Sequence, residues 1–170
     1  MIHPPKNFKA RPTTDRAKES LFNILSNYID FSEIKVLDLF GGTGSISYEF
    51  ASRGCNNITC IELNYKHYVF IKETINNLGF SQIKAYKSDV FKFLNKYTDK
   101  YDIIFADPPY DLPEIDTIPD IIFNNKLLNE NGLFILEHSD KTLFTNHPKL
   151  KEHRNYGGVN FSIFETLKSE

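Results

Sequence analysis

A chain of 170 residues, 41% hydrophobic and 25% charged, supports one globular core without a second, so residues 1–170 read as a single domain. No apolar run approaches the ~20 residues of a membrane span, and the N-terminus lacks the apolar segment of a signal peptide, so a cytoplasmic location is expected. A net charge of −2 does not suit a protein that coats nucleic acid, and two cysteines with five scattered histidines offer no metal-ligand spacing, so no metal is expected.

The charge is unevenly spread. Residues 1–23 hold Lys6, Lys9, Arg11, Arg16 and Lys18 against Asp15 and Glu19. Such a run is either a solvated face or the start of a phosphate-contacting surface, in which Lys6, Lys9 and Arg16 are the candidates. A first helix is predicted over "DRAKESLFNILSNY", with Ala17, Leu21, Ile24, Leu25 and Tyr28 on one side and Thr14 or Asp15 as its cap. "KVLDLF" then reads as a strand, running through Gly41, Gly42 and Gly44 into a short helix closed by Gly54. "NITCIE" repeats the strand signature. Asn64 caps a helix with Tyr68, Ile71, Lys72, Ile75 and Leu78 along one face, and Gly79 stops it. "QIKAYKSD" and "VFKFLNKY" give a third strand and helix, and "YDIIFA" a fourth strand. A helix is expected within "IDTIPDIIFNNKLL", a turn at "NENG", a fifth strand at "GLFILEH" and an edge strand at "NFSIFETL". Strands separated by helices of about ten residues imply right-handed crossovers. The fold class is therefore α/β, a doubly wound, mostly parallel sheet of Rossmann-like type.

Ligands of such sheets bind beyond the carboxyl ends of the strands. The first end carries Asp38, Phe40, Gly41, Gly42 and Gly44, the second Glu62 and Leu63, the third Asp89 and Val90, the fourth Asp107. Glycines let the backbone approach a bulky ligand, although Ser47 stands where a dinucleotide fingerprint has its third glycine. Glu62, eighteen residues after Gly44, is placed to accept two hydrogen bonds from a ribose diol. Asp89 either meets an adenine amino group or caps the following helix. Together these describe a pocket for an adenosyl group.

"DPPY" at 107–110 is the unusual end. Pro108 and Pro109 withhold two amide hydrogens and make a rigid turn of acceptors. The exocyclic amine of a nucleobase is a poor nucleophile because its lone pair is delocalised. If its N–H bonds donate to the Asp107 carboxylate and the Pro108 carbonyl, the nitrogen is drawn toward tetrahedral geometry and its lone pair turns toward an electrophile. The Tyr110 ring offers a platform for an extruded base, and because stacking uses the ring alone, phenylalanine would serve there.

In these stretches the chain resembles the S-adenosylmethionine-dependent amino-methyltransferases, and within them the RsmD type, which methylates a guanine N2 in bacterial small-subunit (16S) ribosomal RNA. The resemblance lies in "RPTTDRAKESLFNIL" (11–25), "VLDLFGGTGSISYEFASRG" (36–54), "CIELN" (60–64), "SDVF" (88–91) and "DPPY". It implies a class I methyltransferase fold with S-adenosylmethionine as cofactor and S-adenosylhomocysteine as product. Asp38, Phe40, Gly42 and Gly44 would pack around methionine and ribose, Glu62 would hold the ribose hydroxyls, and Asp89 with Val90 would frame the adenine. Arg11, Thr13 and Thr14 would lie near the methionine end, and "YGG" at 156–158 would precede the last strand of a closing hairpin. The implied partner is ribosomal RNA, and a net charge of −2 leads to the expectation that it is met within a small-subunit assembly intermediate. This type usually begins with a longer basic stretch, so segment 1–14 reads as truncated.

Three other readings compete. A DNA adenine-N6 or cytosine-N4 methyltransferase would share the acceptor motif, but 170 residues leave little room for a target-recognition domain. A non-catalytic adenosine-cofactor binding module would need no acceptor clamp, and a dehydrogenase has no evident use for it.

Overall fold

The computed structural model describes residues 14–166. Its helices are α1 (Asp15–Leu25), α2 (Ser45–Ser52), α3 (Tyr65–Leu78), α4 (Val90–Lys96) and α5 (Ile118–Asn124). Its strands are β1 (Lys35–Leu39), β2 (Asn57–Glu62), β3 (Ile83–Lys87), β4 (Tyr101–Ala106), β5 (Leu128–His138), β6 (Leu150–Tyr156) and β7 (Val159–Glu165). The seven strands form one sheet in the order β3-β2-β1-β4-β5-β7-β6. Pairing is parallel from β3 through β5 and antiparallel for β5 with β7 and β7 with β6. The order reverses between β1 and β4, which sets their carboxyl ends beside the crevice where such sheets bind ligands.

Local signals account for much of this. Thr14 Oγ1 accepts the Ala17 N–H at 3.3 Å and starts α1. The Asn64 side chain accepts from the Lys66 and His67 amides, and Gly79, at φ 69°, closes α3 in the left-handed conformation that glycine adopts without strain. The sheet has a core on each face. One gathers Phe22, Phe50, Ile58, Ile71 and Phe161, with the Phe22 and Phe50 rings edge-on at 4.7 Å. The other gathers Leu37, Ile104, Ile118, Phe134 and Phe164, with the last two stacked at 5.4 Å. Each such side chain contributes about 1.5 to 3 kcal/mol on burial.

Several elements differ from expectation. On α1 the buried residues are Ala17, Leu21, Phe22 and Leu25; Phe22 rather than Ile24 fills the core, and Tyr28 lies beyond the helix, 77% exposed. On α3 Thr74 joins Ile71 and Ile75, whereas Lys72 and Leu78 face solvent. "NENG" is not a turn before β5 but part of it: Asn131 takes φ 58° and the pairing with β4 shifts register between Tyr101 and Ile103, so a bulge keeps the strand on course. Asn129 Nδ2 ties this bulge to Asp102 Oδ1 at 2.8 Å. β7 is an interior strand rather than an edge, because β6 covers it. β6 is mostly polar and its residues alternate between exposed and half-buried, so it carries almost no apolar signal. Gly157 and Gly158, both at positive φ, connect β6 to β7. Among the described residues no helix is long and apolar enough to cross a membrane.

Candidate active site

The glycine turn after β1 is held by sterics and by one carboxylate. A Cβ on Gly41 would stand 2.5 Å from Cys60 Sγ, so the turn passes over β2 only because position 41 has no side chain. Gly41 N–H donates to the Ile61 carbonyl at 2.8 Å. Gly42 and Gly44 have φ of 57° and 81°, and Phe40, ahead of them, takes φ 59° without being glycine. Glu62, at the end of β2, accepts the Gly42 N–H on Oε2 and the Asn64 N–H on Oε1, both at 2.7 Å. Its carboxylate therefore fixes two loops at once, and each oxygen keeps a lone pair for a ligand.

A cavity of about 640 Å³ opens over these strand ends. Asp38, Phe40, Gly41 and Gly42 line it from β1, Glu62 and Leu63 from β2, and Asp89 and Val90 from β3 and α4. Asp107, Pro108, Pro109 and Tyr110 line it from β4. The fold thus brings both halves of the expected site, the glycine and acid half and the "DPPY" half, to one cavity. Gly44 stands outside the wall as the residue that starts α2. Thr14 and Arg16 are exposed at the start of α1 and do not line the cavity. Lys6, Lys9, Arg11 and Thr13 fall outside the described residues. Asp89 Oδ1 accepts the Lys92 N–H at 2.9 Å, so the capping reading of Asp89 holds, and its place on the wall leaves the second oxygen for a ligand.

The electrostatics centre on Asp38. It is 2% exposed, and burial pushes its pKa up to about 7, against hydrogen bonds that pull the other way; Glu62 adds repulsion. The strongest of those bonds comes from Ser47 Oγ, which donates to Asp38 Oδ2 at 2.6 Å. Cys60 Sγ lies 3.8 Å from the same oxygen, and burial raises its thiol well above the usual range. An acid poised near neutrality inside a cavity suits a cationic ligand that would fix it in the charged form.

Sequence reasoning misses four residues. Ser47 occupies a fingerprint position and reads there only as a missing glycine, yet its hydroxyl serves Asp38. His67 and Thr43 line the cavity, with His67 Nδ1 3.9 Å from Glu62 Oε1. Glu137, near the end of β5, lines it beside the fourth strand end and accepts the Tyr110 hydroxyl at 3.0 Å. The acid at the end of "GLFILEH" is the available signal for it. Within the Pro-Pro turn the Pro109 carbonyl accepts the Leu112 N–H at 3.0 Å and closes the turn. Among the described residues no three His, Cys, Asp or Glu side chains group as a metal set.

Comparison with known proteins gives a family and a fold. A family model described as conserved hypothetical protein 95 matches residues 1–165. The ribosomal RNA small subunit methyltransferase D of Buchnera aphidicola subsp. Baizongia pistaciae is 30% identical over 163 residues, 94% of this chain and 83% of that one. Among solved structures, a proposed methyltransferase of Escherichia coli superposes with a TM-score of 0.82 at 24% identity, covering 94% of this chain and 89% of that one. An RNA methyltransferase of Salinibacter ruber in complex with S-adenosyl-L-homocysteine superposes with a TM-score of 0.72 at 13% identity, covering 94% and 96%. The likeness to these two structures is one of fold, a Rossmann-like class I methyltransferase sheet. By the family model and the curated relative together, the chain belongs to the RsmD family of methyltransferases.

Proposed function

We propose that this protein transfers a methyl group from S-adenosylmethionine to the exocyclic N2 amine of a guanine in small-subunit (16S) ribosomal RNA. The observation that supports it best is the single cavity shared by the acid-lined glycine turn and the Asp107–Tyr110 turn. S-adenosylmethionine is the cofactor, and it supplies an electrophilic methyl group on a sulfonium. The residues present fit it: the Glu62 oxygens keep acceptor capacity for the ribose hydroxyls, Leu63 and Val90 give apolar faces for the adenine beside Asp89, and Asp38 gives a counter-charge for the methionine ammonium. Phe40, Gly41 and Gly42 form the wall against which its backbone side rests.

On this reading Asp107 and the Pro108 carbonyl accept the two N–H bonds of the target amine, and Asp107 holds the proton that the nitrogen sheds. Orientation of this kind replaces a search by the reactants with a fixed approach. Tyr110 stacks on the extruded base, an interaction worth roughly 1 to 3 kcal/mol. The substrate is ribosomal RNA, held within an assembling particle rather than as naked RNA, because a chain with 20 Lys and Arg against 22 Asp and Glu has no net positive charge to set against phosphates. The curated relative of Buchnera is named for ribosomal RNA methylation, which supports the RNA over the DNA reading.

The test is to incubate the protein with methyl-labelled S-adenosylmethionine and either transcribed 16S RNA or particles reconstituted from it, then digest to nucleosides for mass spectrometry. N2-methylguanosine, formed faster on particles, is the expected product. N6-methyladenosine, N4-methylcytidine or label in duplex DNA would replace the proposal. Tight cofactor binding without transfer to any of them would leave a binding module.

A further inference from the structure

Tyr110 and Glu137 come from elements of different rigidity. Glu137 is 3% exposed on β5, paired to Phe161 of β7, and it follows Leu136, which pairs with Ala106 at the end of β4. Its carboxyl is therefore carried by the middle of the sheet. Tyr110 sits three residues beyond Asp107 in a turn closed by Leu112 N–H on the Pro109 carbonyl, half-buried on the cavity wall. A phenol ring on a turn pivots about two side-chain torsions. A hydrogen bond from its far tip to the sheet, here from the hydroxyl to Glu137 Oε1 at 3.0 Å, restrains both.

We infer that Glu137 is a positioning residue for Tyr110: it fixes the plane of the ring, and through the ring the approach of the stacked base to the methyl donor. The inference rests on the reading of Tyr110 as the base platform. It reverses the expectation that phenylalanine would serve at position 110, because the hydroxyl now has a task that the ring alone cannot perform. Glu137 is buried on the cavity wall, and its Oε1 accepts the phenol hydroxyl. A bond that orients the acceptor platform gives that carboxyl a purpose. A loosened ring still binds the base, but the amine then spends less time in line, so the loss falls on kcat.

The test compares Tyr110→Phe, Tyr110→Ala, Glu137→Leu, Glu137→Gln and the Tyr110→Phe/Glu137→Leu double variant in the full chain. Each is assayed with reconstituted small-subunit particles and labelled S-adenosylmethionine, with calorimetry of S-adenosylhomocysteine alongside. Tyr110→Phe and Glu137→Leu should each lower kcat about tenfold at unchanged cofactor affinity, and the double variant should be no worse than either. Glu137→Gln, whose amide oxygen still accepts the hydroxyl, should recover most of the rate lost in Glu137→Leu. Tyr110→Phe leaves the buried carboxyl in place and so reports even if Glu137→Leu fails to fold. Parental kcat in Tyr110→Phe, additive losses in the double variant, or a loss of cofactor affinity confined to the Glu137 variants would each overturn the inference. If Tyr110→Ala is fully active, the platform reading itself fails. If Tyr110→Ala is inactive and Tyr110→Phe is normal, only the role of Glu137 fails.

Discussion

Glu62 holds the Gly42 amide at 2.7 Å, so the acid proposed to hold the ribose also builds the glycine turn beside it. Its second oxygen holds the Asn64 amide at the same distance. Glu62→Ala should therefore do two things: weaken S-adenosylhomocysteine binding by roughly 1.5 to 3 kcal/mol, and lower unfolding stability by about 1 to 2 kcal/mol through the amides it strands. Calorimetry and urea unfolding measure the two separately. A fall in affinity with parental stability would mean that the turn holds its shape without Glu62.

Asp107→Ala should abolish methyl transfer and leave cofactor affinity near the parental value, because its proposed partner is the target amine. Single-turnover assays with particles and calorimetry with S-adenosylhomocysteine give the two numbers. Loss of affinity comparable to that of Glu62→Ala would move Asp107 into the cofactor half of the cavity.

Asp38 makes the chain pH-sensitive. Its pKa is raised from 3.8 to about 7, so the folded chain binds a proton that the unfolded chain has released. The stabilisation is fully present below pH 3.8, declines as pH rises, and is gone above about 7, a change of a few kcal/mol. Urea unfolding between pH 5 and 8 should show this decline in the parent and not in Asp38→Asn, where an amide can still accept from Ser47. Cofactor binding should run the other way. A cationic ligand favours the charged carboxyl, so affinity should rise through pH 7 and binding below it should release a proton, seen as a buffer-dependent heat. A flat affinity profile would separate Asp38 from the methionine ammonium.

Gly41→Ala should destabilise the chain by about 1 to 3 kcal/mol, since the new methyl would meet Cys60 Sγ at 2.5 Å and Ile71 Cδ1 at 3.2 Å. Pairing it with Cys60→Ala should restore part of that loss. If the double variant is no more stable than Gly41→Ala, the clash is with Ile71 or the backbone rather than with the thiol.

Replacing Lys6 and Lys9 with alanine should weaken binding to 16S RNA and flatten its salt dependence, by a slope on the order of 0.7 to 0.9 for each phosphate no longer neutralised. Filter binding across a salt series reads both. An unchanged slope would place the RNA-binding surface on the loops around Tyr110 and Tyr156.

What the sequence discloses depends on how local the signal is. Asn64 and Gly79 bound α3 to the residue because capping needs only the backbone of one turn. The glycine turn and the Pro-Pro turn are legible for the same reason. Ser47 misleads because its partner lies nine positions away across the strand-to-helix turn, and Glu137 is marked only as an acid at a strand end, because the pairing of β5 with β4 is what brings it to Tyr110. β6 leaves no mark because an edge strand with one wet face need not alternate apolar residues. For Glu137 the information is a contact across the sheet, 27 positions apart, which no short window along the chain contains.

Phe40 gives the site a thermodynamic character of its own. A bulky residue at φ 59° is held where glycine would rest easily, at a penalty of about 1 to 2 kcal/mol, and it is held on the wall of the cavity. The scaffold around it, two packed cores and a seven-stranded sheet, supplies the excess stability that keeps this backbone in place. The cavity wall at Phe40 is thus a strained segment that the packing around it holds in place. Substituting glycine at 40 would release that strain but would also remove a ring that packs against the Leu37, Ile104 and Phe134 core, so position 40 sets backbone ease against packing.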